Sequence, residues 1–139
     1  MSPRYERITM SINKHVIYSP SAPEPVGPYS QAIYVHPWIF ASGQIPLDPA
    51  TGLLKNASFE EEVHQVLQNI SAVLDAAGSS LNHLVKVSVF LTDMTLFGAF
   101  NDIYATYVDA PFPARSTIEV SQLPKQARIE IEVIALKAD

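Results

Sequence analysis

An arginine that enters an apolar strand straight from a proline-bounded turn is a candidate ligand for a small acid. Arg115 stands so, in PFPARSTIEV (111–120). Its planar guanidinium offers donors in a fixed fork that matches a carboxylate through two hydrogen bonds. The competing reading is an internal ion pair with Glu119, Glu130 or Glu132. Glu130 itself, in IEIEV (129–133), puts a carboxylate on a strand face, where it can orient or deprotonate water if a neighbouring subunit shields it. Simple alternation would equally leave it on a wet face. A third candidate is the pair GPYSQA (27–32) and FASGQIP (40–46), whose small residues let a ligand approach backbone N–H groups. Ordinary tight turns account for these segments nearly as well.

Other chemistries lack their residues. The four histidines, His15, His36, His64 and His83, are far apart and show no metal-ligand spacing such as HExxH. No cysteine is present, so disulfides, thiolate metal sites and cysteine nucleophiles are excluded, which leans toward a reducing compartment. The serine elbow G-x-S-x-G, the phosphate loop and the dinucleotide fingerprint are missing. No metal or cofactor is expected. Nine Lys and Arg residues against fourteen Asp and Glu, a net charge of −5, argue against a broad nucleic-acid surface.

The chain has 139 residues, 47% of them hydrophobic, enough for one packed domain. No apolar stretch reaches the ~20 residues of a membrane span. The opening MSPRYERITMSINKH lacks a secretory core. Residues 1–14 read as a tail ahead of a single domain over 15–139. Arg4, Arg7 and Lys14 among hydroxyl residues raise mitochondrial import, against which stand Glu6 and the shortness of the segment. The cytoplasm is the expected compartment, with the mitochondrial matrix as the alternative. The sequons at Asn56 and Asn69 read as coincidental.

The elements that must position these residues follow from periodicity. Phe59, Val63, Val66, Leu67, Ile70, Val73, Leu74 and Ala77 share one helical face, with Ser58 and Glu61 as a capping box and Gly78 as the stop. Leu96, Phe100, Ile103, Tyr104 and Tyr107 mark a second helix. Strands are expected near 31–35, 38–43, 83–91, 114–120 and 128–136, with Val85, Val87, Val89 and Leu91 on one face and Lys86, Ser88 and Phe90 on the other. The fold class is α+β: a mixed sheet of about six strands with two helices on one face. Ile129, Ile131 and Val133 should meet the helices, with Glu130, Glu132 and Ile134 opposite, and similarly Ser116, Ile118 and Val120 oppose Arg115, Thr117 and Glu119. The second face therefore mixes charges with Phe90, Ile134 and Leu136, so burial against further copies of the chain is expected.

Taken in order, GPYSQA, FASGQIPLDPATG, VLDAAGSSL, VKVSVFLTDM, FNDIYATY, PARSTIEV and LPKQARIEIEVIA resemble the Rid (reactive intermediate deaminase) family, in its RidA branch, over about residues 15–136. The resemblance implies a chorismate-mutase-like fold and a homotrimer with a barrel-like core and three clefts between subunits. It also implies hydrolysis of 2-iminobutanoate or 2-iminopropanoate to the 2-oxo acid and ammonia. It places the carboxylate-binding role on Arg115, water positioning on Glu130, and pocket roles on Tyr29, Ser42, Gly43, Asn101 and Thr117. Many relatives carry cysteine where Thr117 stands, and the loop before PARS looks short, which bears on substrate preference more than on the reaction. Two other functions stay open: a non-catalytic trimer that binds small carboxylates or partner proteins, and RNA cleavage or translation inhibition.

Overall fold

The computed structural model describes residues 13–139. Residues 1–12 lie outside the described residues, and with them Arg4, Glu6 and Arg7 of the import reading and most of the expected tail. Six strands form one sheet: β1 (His15–Ile17), β2 (Ala32–Val35), β3 (Trp38–Gln44), β4 (Leu84–Leu91), β5 (Ala114–Glu119) and β6 (Ile129–Leu136). Helix α1 (Phe59–Ala76) joins β3 to β4, and α2 (Phe97–Tyr107) joins β4 to β5. The spatial order is β1-β2-β3-β6-β4-β5. Every neighbouring pair is antiparallel except β4 and β5, whose parallel pairing uses α2 as the crossover. The sheet is open, with β1 and β5 at its edges, so a barrel-like core is not formed by one chain.

Helix α1 starts where Ser58 Oγ accepts the Glu61 N–H at 3.1 Å, and stops at Gly78, whose φ of +73° suits glycine. All eight apolar residues of its expected face are buried. They pack on Ile39, Val87, Val89, Leu91, Ile129, Ile131 and Val133 from the sheet. Each fully buried Val, Leu, Ile or Phe contributes about 1.5–3 kcal/mol, so this face holds α1 in place.

Two details depart from the pattern. Leu84 pairs with Ala135 and Lys86 with Ile134, so β4 carries one extra residue at Val85. Leu84, not Val85, therefore packs on the core, because a bulge shifts the alternation by one. Strand β1 is absent from the periodicity: three residues before a proline cluster are too few to show a period. Asn69 is 1% exposed and donates to the carbonyls of Ile45 and Leu47, which removes it from any surface modification.

Candidate functional site

Strand β5 sets the direction of Arg115. It pairs Arg115 with Val87 and Thr117 with Val89, both core residues, so Arg115 and Thr117 face the helices. Helix α2 meets the guanidinium with Phe97, Phe100 and Tyr104, one stripe at i, i+3 and i+7. The ring centroids lie 5.7, 5.3 and 4.8 Å from the guanidinium carbon. Each such contact is worth about 0.5–2 kcal/mol, more where water is excluded. The shell holds the fork without neutralising it. Among the described residues, the ion pair formed is Arg128 with Glu62, and Arg115 has no carboxylate at salt-bridge distance. Glu119 instead accepts the Met94 N–H at 2.8 Å. Asn101, Tyr104, Ala105, Phe112, Pro113 and Arg115 line an open cavity of about 470 Å³. Burial pushes the Tyr104 phenol up, and the nearby Arg115 charge opposes that shift. Among the described residues the buried hydroxyls of Tyr104 and Thr117 have no hydrogen-bond partner.

Glu130 projects the other way. Its neighbours Ile129 and Ile131 are fully buried under the helices, so alternation turns Glu130 and Glu132 to the open face. There a second cavity, about 390 Å³, is lined by Tyr29, Gln31, Ser42, Gly43, Glu130 and Glu132 together with apolar residues that include Pro23 and Val26. Burial raises the Glu130 carboxyl above the ordinary range, and the Glu132 charge adds to this. The proline-rich loop before Gly27 forms one wall. Buried Gln31 clasps it, accepting the Ser19 N–H at 2.6 Å and donating to the carbonyls of Ser19 at 3.1 Å and Pro23 at 2.9 Å. The Tyr29 hydroxyl accepts the Val26 N–H at 3.2 Å, and Ser42 Oγ donates to the Ser30 carbonyl at 2.7 Å. Ser42 thus spends its proton inside the protein and meets a ligand only as an acceptor.

The sequence-predicted residues therefore fall into two groups. Arg115 and Asn101 share one cavity; Tyr29, Ser42, Gly43 and Glu130 share the other. Thr117 lies on the Arg115 side of β5 but lines neither. The two cavities have no residue in common and open on opposite faces of the sheet. Sequence reasoning missed Phe97 as part of the guanidinium shell, Gln31 as the clasp, and Glu132 and Phe112 as lining residues. The i, i+3, i+7 stripe was the available signal for Phe97.

An open six-stranded α+β sheet with two helices, a cation cradled by aromatic rings beside one face and a half-buried carboxylate on the other, defines a protein of the mixed-sheet, two-helix type with two candidate small-molecule cavities. The family model described as Endoribonuclease L-PSP matches residues 19–137, and the chain belongs to that family, the Rid proteins. A RutC family protein of Pyrococcus horikoshii is 50% identical over 124 residues, 89% of this chain and 98% of the relative. The 2-iminobutanoate/2-iminopropanoate deaminase of Mus musculus is 45% identical over 127 residues, 91% and 94% of the two chains. A crystal structure of a Rid-family protein from Yersinia pestis superposes with a TM-score of 0.86 at 50% identity, covering 88% of this chain and 98% of that one.

Proposed function

We propose that this protein hydrolyses small 2-imino acids and their enamine tautomers to 2-oxo acids and ammonia, in clefts that two copies of the chain build together within a homotrimer. The observation that carries the reading is Arg115: a guanidinium held by three aromatic rings at the mouth of a cavity, with no carboxylate beside it among the described residues. An unneutralised fork of this kind is matched to an acid group. The name of the mouse relative supplies the reaction, and that of the archaeal relative leaves the substrate open.

The chemistry asks little of the protein. An imine carbon next to a carboxylate is electrophilic, more so once its nitrogen is protonated. Arg115 fixes the acid end. Glu130 holds a water against the imine carbon and takes one of its protons as the C–O bond forms. That proton passes to the nitrogen; the C–N bond then breaks as the new hydroxyl gives its remaining proton back to the Glu130 carboxylate and becomes the C=O, and ammonia leaves with the 2-oxo acid behind. Alignment of this kind contributes up to about 7–11 kcal/mol in ideal cases. A substrate of a few atoms cannot touch both Arg115 and Glu130 of one chain, since they face opposite sides of the sheet. A partner subunit can bring its Glu130 cavity to this chain's Arg115. Trp38, Phe40 and Ile118, exposed on the open face, are the apolar surface such packing would cover.

The test is a coupled assay in which a dehydratase generates the imine and release of ammonia or 2-oxo acid is followed, with Arg115→Ala beside the wild type. Acceleration that vanishes in the variant supports the reading. Binding of small carboxylates without acceleration would replace it with a regulatory trimer, and RNA cleavage that persists in Arg115→Ala would replace it with a nuclease.

A further inference from the structure

Glycine occurs at position 43 for a reason that the backbone conformation does not supply. Gly52 and Gly78 occupy the left-handed region, with φ of +72° and +73°; Gly43 does not. What it lacks is room. A Cβ built on Gly43 would stand 2.9 Å from Cδ and 3.2 Å from Cγ of Glu130, and would overlap its Oε2. The space a side chain would fill is already taken by the Glu130 carboxylate.

The surrounding strand is shaped to the same end. Ala41 pairs with Val133 and Gln44 with Ile131, so β3 spends three steps where β6 spends two, and the extra residue lies at Ser42–Gly43. Such bulges bend a strand and re-aim what lies beside them. This one is clamped: the Ser42 N–H donates to the Gln31 carbonyl at 2.9 Å, and its Oγ to the Ser30 carbonyl at 2.7 Å. With both of those bonds made, β3 cannot easily retreat from an added methyl group. Glu130, by contrast, has three side-chain torsions and an open cavity to swing into.

We infer that Gly43 is a positioning residue for Glu130: its bare backbone, set in the clamped β3 bulge, is the seat that keeps the carboxylate against the sheet. This rests on the reading of Glu130 as the group that handles water. It gives Gly43 a role through space, distinct from any hydrogen bond between its backbone and substrate. The charged and titratable groups sharing the open face near Glu130 are Glu132 along β6, Tyr29 across the cavity, and Lys86 of β4, which borders a neighbouring hollow with Glu132.

Gly43→Ala and Glu130→Ala, singly and combined, decide the matter. A displacement of about 1 Å at a catalytic group can cost on the order of 10²-fold, so kcat in Gly43→Ala should fall roughly ten- to a hundredfold, with KM held within about twofold because the Arg115 cavity is untouched. Whatever part of the overlap the swing of Glu130 does not relieve should lower the melting temperature by about a degree or two. In the Glu130→Ala background, Gly43→Ala should cost neither rate nor stability, since neighbours that act through one contact are not additive. The Glu130 carboxyl, followed by carbon NMR, should titrate lower in Gly43→Ala as it leaves its buried seat. Wild-type kcat in Gly43→Ala, or a full penalty that persists without Glu130, overturns the inference. If Glu130→Ala retains wild-type kcat, the water-handling reading fails instead, and the stability cycle and the NMR titration judge the seat on their own.

Discussion

Among the described residues, a cation at Arg115 sits amid three aromatic rings with no carboxylate at ion-pair distance, whereas around Glu130 two carboxylates share a cavity whose lining includes no lysine or arginine. The same chain contains a third arrangement for contrast. Glu62, fully buried in the first turn of α1, accepts both the backbone N–H and the Nε of Arg128. Where charge serves the fold, the chain pairs it internally. Where charge is left unmatched and beside a cavity, it is available to something that arrives, and the two unmatched sites have opposite signs and opposite faces. They complement each other, but not within one molecule.

Loss of either half should reveal the division of labour. The largest effect is expected from Arg115→Ala: two charge-assisted hydrogen bonds are worth about 3–6 kcal/mol, so kcat/KM for the imine should drop roughly 10²- to 10⁴-fold with the fold retained by circular dichroism. Arg115→Lys should recover little, because an ammonium lacks the planar fork. Glu130→Gln should lower kcat by on the order of 10²-fold, the low end for a group that moves protons, while KM changes little. Co-refolding the two inactive chains in equal amounts puts an intact Arg115 opposite an intact Glu130 in about one cleft in four, so about a quarter of wild-type activity should return if neighbouring copies share each cleft. No recovery would show that each chain is complete alone and would break the comparison. A subtler change is Phe97→Leu, which removes one ring from the shell; KM should rise about two- to fivefold, in line with a single partly exposed cation–π contact.

The smallest effect is thermodynamic. The Glu130 carboxyl is raised in the folded protein, so the native state holds that proton more tightly than the unfolded chain does. The resulting stability is fully present below the unfolded value and is lost as pH rises through the folded one. Thermal melts from acid to neutral pH should therefore show the wild type losing about a degree or two relative to Glu130→Gln, a modest shift because the group is half exposed.

Much of this architecture is legible in the residue spacing alone. The buried face of α1, its Ser58 cap and its Gly78 stop follow from spacing over five turns. In β5 alternation separates Arg115 from Ile118 but does not say which meets the helices; no β5 residue is buried, and the pairing with Val87 and Val89 of β4 turns Arg115 and Thr117 inward and leaves Ile118 exposed. Periodicity fails where it is locally broken. The bulge at Val85 moves Leu84 into the core, and the bulge at Ser42–Gly43 gives a glycine a purpose that no spacing rule contains. Gln31 stands within GPYSQA, yet its clasp on the proline-rich loop depends on carbonyls eight to twelve residues away whose direction only the folded backbone supplies. The aromatic shell is half visible: spacing marks Phe100 and Tyr104 as core, which they are, but a buried ring can also present its face to a cation.

The Arg128–Glu62 clasp carries a lesson for anyone wishing to redesign this scaffold. It fastens the first rung of β6 two residues ahead of Glu130, so exchanging Arg128 alone would leave the buried Glu62 carboxylate with only the backbone N–H of that position as a partner, a destabilising change. Libraries aimed at new substrates should leave that anchor untouched and draw their diversity from Val26, Phe112 and Pro124, whose side chains border the two hollows without holding up the roof.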